Sequence, residues 1–229
     1  MLHLLDNIVW HALTGAQAHF AVGEGAARRY APGFSPIIGF ADNTNADLAT
    51  IARYCKAGEQ FYTDGWSGPV PTGWNLMVES TMDKMVWKGA LPDEDDALSA
   101  VPLGPEHAQE ALDLATLTRP GPFGLRTLEL GDYFGIFEGA RLIAMAGERM
   151  AAGPWREISG VCAHPDAQGR GYARRLMLKL LRRQMLRGES TFLHVVSTNL
   201  TARNLYIRMG FETYKVSQVR VITPISRSC

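Results

Sequence analysis

The 229-residue chain lacks the features that define several large classes of protein. No stretch approaches the roughly 18 consecutive apolar residues of a membrane-spanning helix, so we expect no membrane partner. The N-terminus has no basic segment followed by a long apolar run and a small-residue cleavage site, which argues against a secretion signal. Basic and acidic side chains number 23 each, so no overall electrostatic field draws the chain to nucleic acid.

Cysteine is also scarce. The three cysteines, Cys55, Cys162 and Cys229, are widely separated and odd in number. They have neither the spacing of a metal site nor that of a disulfide framework. We therefore predict a cytoplasmic protein in a reducing compartment, with no structural metal.

The two best-known nucleotide-binding motifs are missing. No G-x-x-x-x-G-K-[ST] segment occurs, which excludes a P-loop. A dinucleotide fingerprint requires a third small residue after Gly169 and Gly171, but Arg174 stands there. Glu189 has the spacing of the acidic residue that such folds carry, yet it precedes the next predicted strand instead of ending it.

An acidic run divides the chain. Residues 91–96 (Leu-Pro-Asp-Glu-Asp-Asp) have no apolar period and predict an exposed linker between 1–97 and 98–229. The first range, a smaller α/β half of uncertain role, carries no catalytic signature. Its patterns predict one helix at Asn45–Tyr54 and strands at Ile8–Leu13, His19–Val22, Ile37–Phe40, Gln60–Thr63, Asn75–Glu79 and Lys84–Lys88.

The second range has clearer periodicity. It predicts an α/β fold with a sheet of mixed direction, in the order helix, three antiparallel strands, helix, strand, helix and final strands. The helices are predicted at Glu106–Thr116, Arg174–Arg187 and Leu200–Met209, and the strands at Tyr133–Phe137, Arg141–Glu148, Trp155–Cys162, Thr191–Ser197 and Phe211–Ile222.

A glycine-containing turn joins the strand at Trp155–Cys162 to the basic helix. Gly169 and Gly171 let the main chain approach an anion without a Cβ in the way. Unpaired N–H groups at the helix N-terminus and the helix dipole both favour negative charge there. Arg174 and Arg175 oppose that dipole in the first turn, a conflict that a bound polyanion removes. The turn therefore predicts a phosphate site.

Three motifs resemble the GNAT acyltransferase superfamily. Residues 168–173 (Gln-Gly-Arg-Gly-Tyr-Ala) resemble its [QR]-x-x-G-x-[GA] pyrophosphate loop, and residues 157–165 resemble its fourth strand and exit. Residues 199–206, followed by Met209-Gly210-Phe211, resemble the N-x-x-A-x-x-x-Y…GF signature of its final helix. The resemblance covers roughly 100–222 and implies a mixed, mostly antiparallel sheet flanked by helices. The layout also resembles the glycine N-acyltransferase branch.

The resemblance implies that acetyl-CoA lies across a V-shaped opening between Trp155–Ala163 and Thr191–Ser197. The main chain of Val161, Cys162 and Ala163 then pairs with the pantetheine arm. Gln168 opens the pyrophosphate loop, whose remaining members are Gly169, Arg170, Gly171, Tyr172, Ala173 and Arg174. Asn199 has two open interpretations, as a helix N-cap or as a coenzyme A contact. Cys162 is read as a small strand residue, since nothing is spaced to activate its thiol.

The resemblance also implies the catalytic groups. Tyr206 protonates the departing thiolate, and it lies on about the same helical face as Asn199. Glu157 accepts a proton from the amine, with Glu148 as its rival. For either carboxylate, the structural alternative is a surface position or an ion pair with Arg149 or Arg156. An amide near Val161 stabilises the oxyanion. No metal is implied.

These assignments predict an N-acetyltransferase acting on a small amine or an amino acid. A peptide or protein N-acetyltransferase and a non-catalytic acyl-CoA-binding regulator are the alternatives. Acceptor specificity is expected from Arg119–Arg126, the final strands and the N-terminal half. The sequence does not determine the oligomeric state, and a homodimer is one possibility.

Overall fold

The computed structural model of the chain describes residues 3–95 and 97–225. Within these ranges the strands form one 11-stranded sheet. Their bounds are β1 (Ala21–Val22), β2 (Ala27–Tyr30), β3 (Ile37–Phe40), β4 (Phe61–Asp64), β5 (Trp74–Trp87), β6 (Val101–Pro102), β7 (Tyr133–Glu138), β8 (Arg141–Ala152), β9 (Trp155–Ala163), β10 (Ser190–Val196) and β11 (Phe211–Pro224). The helices are α1 (His3–Asp6), α2 (Ile8–Thr14), α3 (Leu48–Ile51), α4 (Ala108–Thr118), α5 (Tyr172–Leu186) and α6 (Leu200–Met209).

The sheet is mixed but mostly antiparallel. Its order is β1-β2-β3-β4-β11-β5-β10-β9-β8-β7-β6. In the part of the chain that the structure describes, only the pairs β3–β4 and β9–β10 run parallel. The predicted fold class, an α/β structure with a mostly antiparallel sheet flanked by helices, is confirmed.

Strand β5 connects the two halves of the sequence. It comes from the range 1–97, yet Met82–Val86 pair antiparallel with β10 and nearly the whole strand pairs with β11. The predicted division near residue 97 therefore falls within one continuous sheet. Asp96 in the acidic run and Cys229 lie outside the described residues.

One strand prediction in the first half is wrong, and two others merge into a single strand. Residues Ile8–Leu13 form most of helix α2, although β-branched residues at its start favoured a strand. Four of its side chains are buried at helical spacing: Ile8, Val9, Ala12 and Leu13. The two strands predicted at Asn75–Glu79 and Lys84–Lys88 are one long strand, β5, because β11 pairs with it throughout. Strand β2 was not predicted.

Apolar side chains cover both faces of the sheet. On one face α5 and α6 pack against Leu193 and Val195 of β10. Helix α5 presents Leu176, Met177, Leu180 and Leu181 to this core, at the spacing of an amphipathic helix. On the other face α1 and α2 pack against Phe192 and Met150. Each fully buried large apolar side chain contributes about 1.5–3 kcal/mol, so both layers hold the sheet rigidly.

None of the helices in residues 3–95 and 97–225 is both long and apolar enough to cross a membrane.

Candidate functional site

Strands β9 and β10 separate after a short parallel pairing. Only Trp155, Arg156 and Glu157 of β9 have partners on β10, namely Ser190, Thr191 and Phe192. Beyond Glu157, residues 158–163 have no β10 partner among the described residues. The predicted V-shaped opening is therefore present, and we call it the β9–β10 opening. An unpaired strand edge of this kind can bind an extended ligand through its main chain.

Strand β9 has a bulge at Gly160, beyond its last pair with β10. The register with β8 shifts between the pairs Met145–Cys162 and Gly147–Ser159. Gly160 has a φ of 64°, and an added Cβ would lie 3.3 Å from Cε1 of Tyr133. Backbone conformation and space therefore both favour glycine. A bulge bends its strand locally, which fits the continued separation of β9 from β10 beyond their last pair, Glu157–Phe192.

The glycine loop (residues 168–173) follows β9 and begins helix α5. Gly169 and Gly171 both have a φ of 77°, a region that other residues rarely adopt. Gly171 is the N-cap of α5, where no side chain caps the helix, and the first turn carries no acidic residue. Helix N–H groups without a side-chain cap are therefore directed at the loop, as a phosphate site requires.

Exposed side chains brace the glycine loop from outside. Arg170 donates to the carbonyl of Asp166 at 3.0 Å, and Arg175 donates to the carbonyl of Arg170 at 3.1 Å. Gln168 donates to the carbonyl of Ala163 at 3.4 Å, a long and weak bond. These bonds hold the loop beside the end of β9.

Asn199 caps helix α6. Its Oδ1 accepts a hydrogen bond from the amide of Ala202 at 3.2 Å. Of the two interpretations that the sequence left open, the structure shows the N-cap. Contact of this side chain with coenzyme A stays a prediction.

Tyr206 is buried on the face of α6 that packs against the sheet. Its ring contacts Phe211 edge-on, with centroids 6.0 Å apart. No protein group bonds its hydroxyl in the part of the chain that the structure describes. Burial, with a smaller contribution from Cys162, raises the pKa of Tyr206 to about 12. The hydroxyl is therefore protonated at neutral pH and is free to donate.

Cys162 is a buried residue of β9. Burial raises the pKa of its thiol to about 11, so the thiolate is scarce at neutral pH. A thiolate is the nucleophilic form, which means that this environment does not activate the residue.

The carboxylate of Glu157 is fully buried and doubly paired. Arg149 donates to its two oxygens at 2.9 and 2.7 Å, and Nδ1 of His194 lies 2.7 Å from Oε1. Burial alone would raise the pKa of Glu157, but Arg149 and His194 outweigh it and lower the pKa to about 2. The arginine partner named as the structural alternative is thus present. A carboxylate with so low a pKa binds a proton weakly at neutral pH.

His194 belongs to the site although the sequence patterns did not single it out. It lies on β10, two residues beyond the last pair with β9, and its side chain is 3% exposed. Its Nε2 atom is buried and has no hydrogen-bond partner among residues 3–95 and 97–225. A polar residue within an otherwise apolar strand (Phe192 to Val196) was the available signal.

Asp64 lies on the Nε2 side of the His194 ring, and Lys84 is paired with Asp64. Nε2 of His194 lies 3.8 Å from Oδ2 of Asp64, which is beyond hydrogen-bond range. Lys84 donates to the same oxygen at 3.1 Å and to the carbonyl of Leu5 at 2.5 Å. Burial raises the pKa of Asp64, but Lys84 and His194 lower it more.

Glu148, the alternative candidate for the base, is bound by side chains from another part of the structure. Gln184 donates to its Oε1 at 3.0 Å, and Arg187 forms an ion pair with the same oxygen. Both partners lie at the C-terminal end of α5. Glu148 therefore ties this helix to β8, and its oxygens are already in use.

Two neighbouring cavities lie on the face of the sheet that carries His194. The α4 cleft has a volume of about 430 Å³, and its lining includes Gln60, Tyr62, Thr116, Arg119 and Pro122. The His194 cavity is a smaller space of about 40 Å³, lined by His194, Asp64, Met82, Tyr62 and Pro122. Tyr62 and Pro122 line both, so the two spaces are adjacent.

The described residues contain no set of side chains that could bind a metal ion together. In the described ranges no group of three or more His, Cys, Asp or Glu side chains is arranged to hold a metal ion.

Residues 133–221 match the family described as FR47-like protein. The chain is also similar to a crystal structure from Novosphingobium aromaticivorans that is assigned to the GNAT family of acetyltransferases. The two are 31% identical, with a TM-score of 0.86, and the similarity covers 98% of this chain and 100% of that one. No curated protein sequence matches the chain.

More distant structures share the fold. A GCN5-related N-acetyltransferase-like protein from Streptococcus suis is 15% identical, with a TM-score of 0.60, over 95% of this chain and 92% of that one. A GNAT-family acetyltransferase from Colwellia psychrerythraea is 15% identical, with a TM-score of 0.51, over 65% and 58% of the two chains.

Proposed function

Because the chain belongs to the GNAT family of acetyltransferases, we propose that it transfers an acetyl group directly from acetyl-CoA to a small amine or amino acid. One observation carries the proposal. The open edge of β9 runs into the glycine loop, and the loop ends at the uncapped N-terminus of α5. This continuous path offers main-chain groups to an amide-containing arm and then N–H groups to a diphosphate.

Each part of the path fits a part of acetyl-CoA. In the proposed complex, Val161, Cys162 and Ala163 pair with the pantetheine amides. The diphosphate lies against the N–H groups from Gly169 to Arg174. The exposed positions of Gly169 and Gly171 leave no Cβ between those amides and the phosphates.

The protonation states of Tyr206 and Cys162 support transfer without a covalent enzyme intermediate. The Tyr206 hydroxyl, with a pKa near 12 and no protein partner in the described ranges, is the proposed donor to the departing sulfur. Cys162 is buried and protonated, so we do not assign it a covalent role. The amine nitrogen attacks the thioester carbonyl carbon, the C–N bond forms and the C–S bond breaks.

The dimensions of the α4 cleft favour a small acceptor. Its volume of about 430 Å³ lies within the range of about 300–1,000 Å³ that is typical of small-molecule pockets. The cleft is adjacent to the His194 cavity and includes Arg119 from the segment in which the sequence predicted acceptor specificity. The likeness to the glycine N-acyltransferase branch stays a prediction.

The test is release of free coenzyme A thiol from acetyl-CoA in the presence of pooled small amines and amino acids, with a pool of short peptides in parallel. We expect thiol release with the first pool and a matching acetylated product by mass spectrometry. Release with peptides alone would support the peptide-acetyltransferase alternative. Tight binding of acetyl-CoA without turnover in either pool would contradict catalysis and favour a regulator.

A further inference from the structure

The imidazole of His194 is held at one nitrogen and unpaired at the other. Nδ1 lies 2.7 Å from Oε1 of Glu157, whereas Nε2 is buried, has no partner among the described residues and lies 3.8 Å from Asp64. Buried polar atoms in native proteins are nearly always hydrogen-bonded. His194 also lines a cavity, so we take its unpaired Nε2 as a sign of a ligand group that completes it.

Glu157 determines which nitrogen carries the proton. Its carboxylate is ionised, so it accepts the Nδ1–H of the neutral imidazole and leaves the Nε2 lone pair free. The negative and positive charges around the imidazole ring are equal in number. The carboxylates Glu157 on β9 and Asp64 on β4 are each paired with a cation, Arg149 on β8 and Lys84 on β5.

His194 lines a space of suitable size for an amino group. The His194 cavity measures about 40 Å³. A cavity holds one water when it offers about 10–15 Å³ on this scale, so an amino group and its first carbon fit. Tyr62 and Pro122 separate this cavity from the α4 cleft, which is the proposed approach of the acceptor.

Tyr206 and His194 lie on opposite faces of the sheet. Leu193 and Val195 of β10 pack in the same core as Tyr206, while Phe192 packs in the core on the other face. Side chains alternate along a strand, so His194 shares the face of Phe192. A proton donor and a proton acceptor thus flank the β9–β10 opening from its two sides.

We propose that His194 accepts the proton of the acceptor amine, and that Glu157 is a positioning residue that fixes its tautomer. This inference rests on the proposed acetyl transfer. As the amine nitrogen bonds to the thioester carbonyl carbon, its proton passes to Nε2. The C–S bond breaks, and the sulfur takes the proton of the Tyr206 hydroxyl. Solvent afterwards removes the proton from Nε2 and returns one to Tyr206.

The kinetic test compares full-length His194→Gln and His194→Asn with the wild type. We expect kcat/KM for the amine to fall about 100-fold or more, within the range for loss of a general base. The wild-type rate should decline at acid pH as the imidazole gains a proton, and the variants should lose that decline. Their affinity for coenzyme A, measured by calorimetry, should stay within twofold of wild type.

Glu157→Gln tests the positioning role separately. Glutamine can still accept the Nδ1–H, so we expect a smaller loss of kcat/KM than in the His194 variants and a displaced acid limb. A His194 variant with wild-type kcat/KM and an unchanged acid limb would overturn the proposal. Failure of the wild type to acetylate any amine would instead count against the proposed function.

A second measurement needs neither turnover nor a variant. Long-range ¹H–¹⁵N spectra of the histidine side chains report which ring nitrogen is protonated. At pH 8 we expect His194 to show a protonated Nδ1 and a bare Nε2. A protonated Nε2 at that pH, in either a neutral ring or a persistent imidazolium, would overturn the proposal even if the enzyme were inactive with every amine offered.

Discussion

Oε1 of Glu157 accepts hydrogen bonds from both Arg149 and His194, each at 2.7 Å. The carboxylate therefore joins β8, β9 and β10 through one atom at the point where the β9–β10 opening begins. Both the stability of the sheet and the orientation of the imidazole depend on this group.

Loss of the Glu157 charge should destabilise the fold. Glu157→Gln leaves Arg149 buried without its partner, which typically costs about 3–5 kcal/mol in the free energy of unfolding. Glu129→Gln, which breaks the exposed pair of Arg126 and Glu129, is the matched control and should cost about 0–1 kcal/mol. Urea unfolding measures both, and equal losses would contradict the dominant role of the buried pair.

The same carboxylate should make stability depend on acid pH. Because the pKa of Glu157 is lowered to about 2 from an ordinary value of 4.5, the unfolded chain binds its proton first. The contribution is therefore present in full above about pH 4.5 and is lost as the pH falls towards 2. Urea unfolding from pH 6 to pH 3 should show a steeper loss for the wild type than for Glu157→Gln. Parallel slopes would show that Glu157 does not titrate in this range.

The glycine loop should lose coenzyme A affinity when Gly171 gains a side chain. Gly171→Ala strains a residue at φ 77° and places a Cβ before the N–H groups of α5. Gly188→Ala is the matched control, since it has φ 74° and open space at the other end of the same helix. We expect a similar loss of stability in both and about tenfold weaker binding, about 1.4 kcal/mol, only in Gly171→Ala. Calorimetric titration with coenzyme A would contradict this if the two variants bound equally.

Tyr206→Phe should separate catalysis from packing. The ring stays in place and no protein hydrogen bond within the described ranges is lost, so stability should change by less than about 1 kcal/mol. We expect kcat to fall about 10²-fold or more with unchanged coenzyme A affinity. Tyr30→Phe is the control, because it removes a buried hydroxyl that donates to Gln17 at 2.6 Å. It should lower stability and leave kcat within a few-fold.

Cys162→Ala should leave turnover nearly intact. The buried thiol has a pKa of about 11 and is not activated. We expect kcat within about threefold of wild type and a stability loss of about 1 kcal/mol from the smaller side chain. Intact-mass spectra of the wild type during turnover should show no acetylated enzyme. An acetyl group on Cys162 would establish a covalent route instead.

The sequence predicted those parts of the site that are contiguous in the chain. The glycine loop and the cap of α6 lie at helix starts, and Tyr206 follows the cap on the same helix, so local conformation determines their geometry. Their resemblance to the GNAT superfamily is confirmed by the similarity over the whole chain. Periodicity predicted a sheet of mixed direction, and the resemblance implied that it is mostly antiparallel.

Contacts between distant strands could not be predicted in the same way. Whether His194 meets Glu157 depends on the register of β9 against β10, which is not encoded locally. Asp64 and Lys84 reach the same ring only because β4, β11, β5 and β10 are neighbours. The isolated glycine in β9 was the one local sign of a bulge.

The position of β5 between β10 and β11 has a consequence for biosynthesis. A ribosome releases β5 long before either of the strands that flank it, so this strand must wait, unpaired on both edges, until the rest of the chain emerges. Pairings between segments so far apart in the chain form slowly. The final closure of the sheet around β5 should therefore limit how fast a newly made molecule matures, and any fragment that ends before β11 leaves one side of β5 open to aggregation.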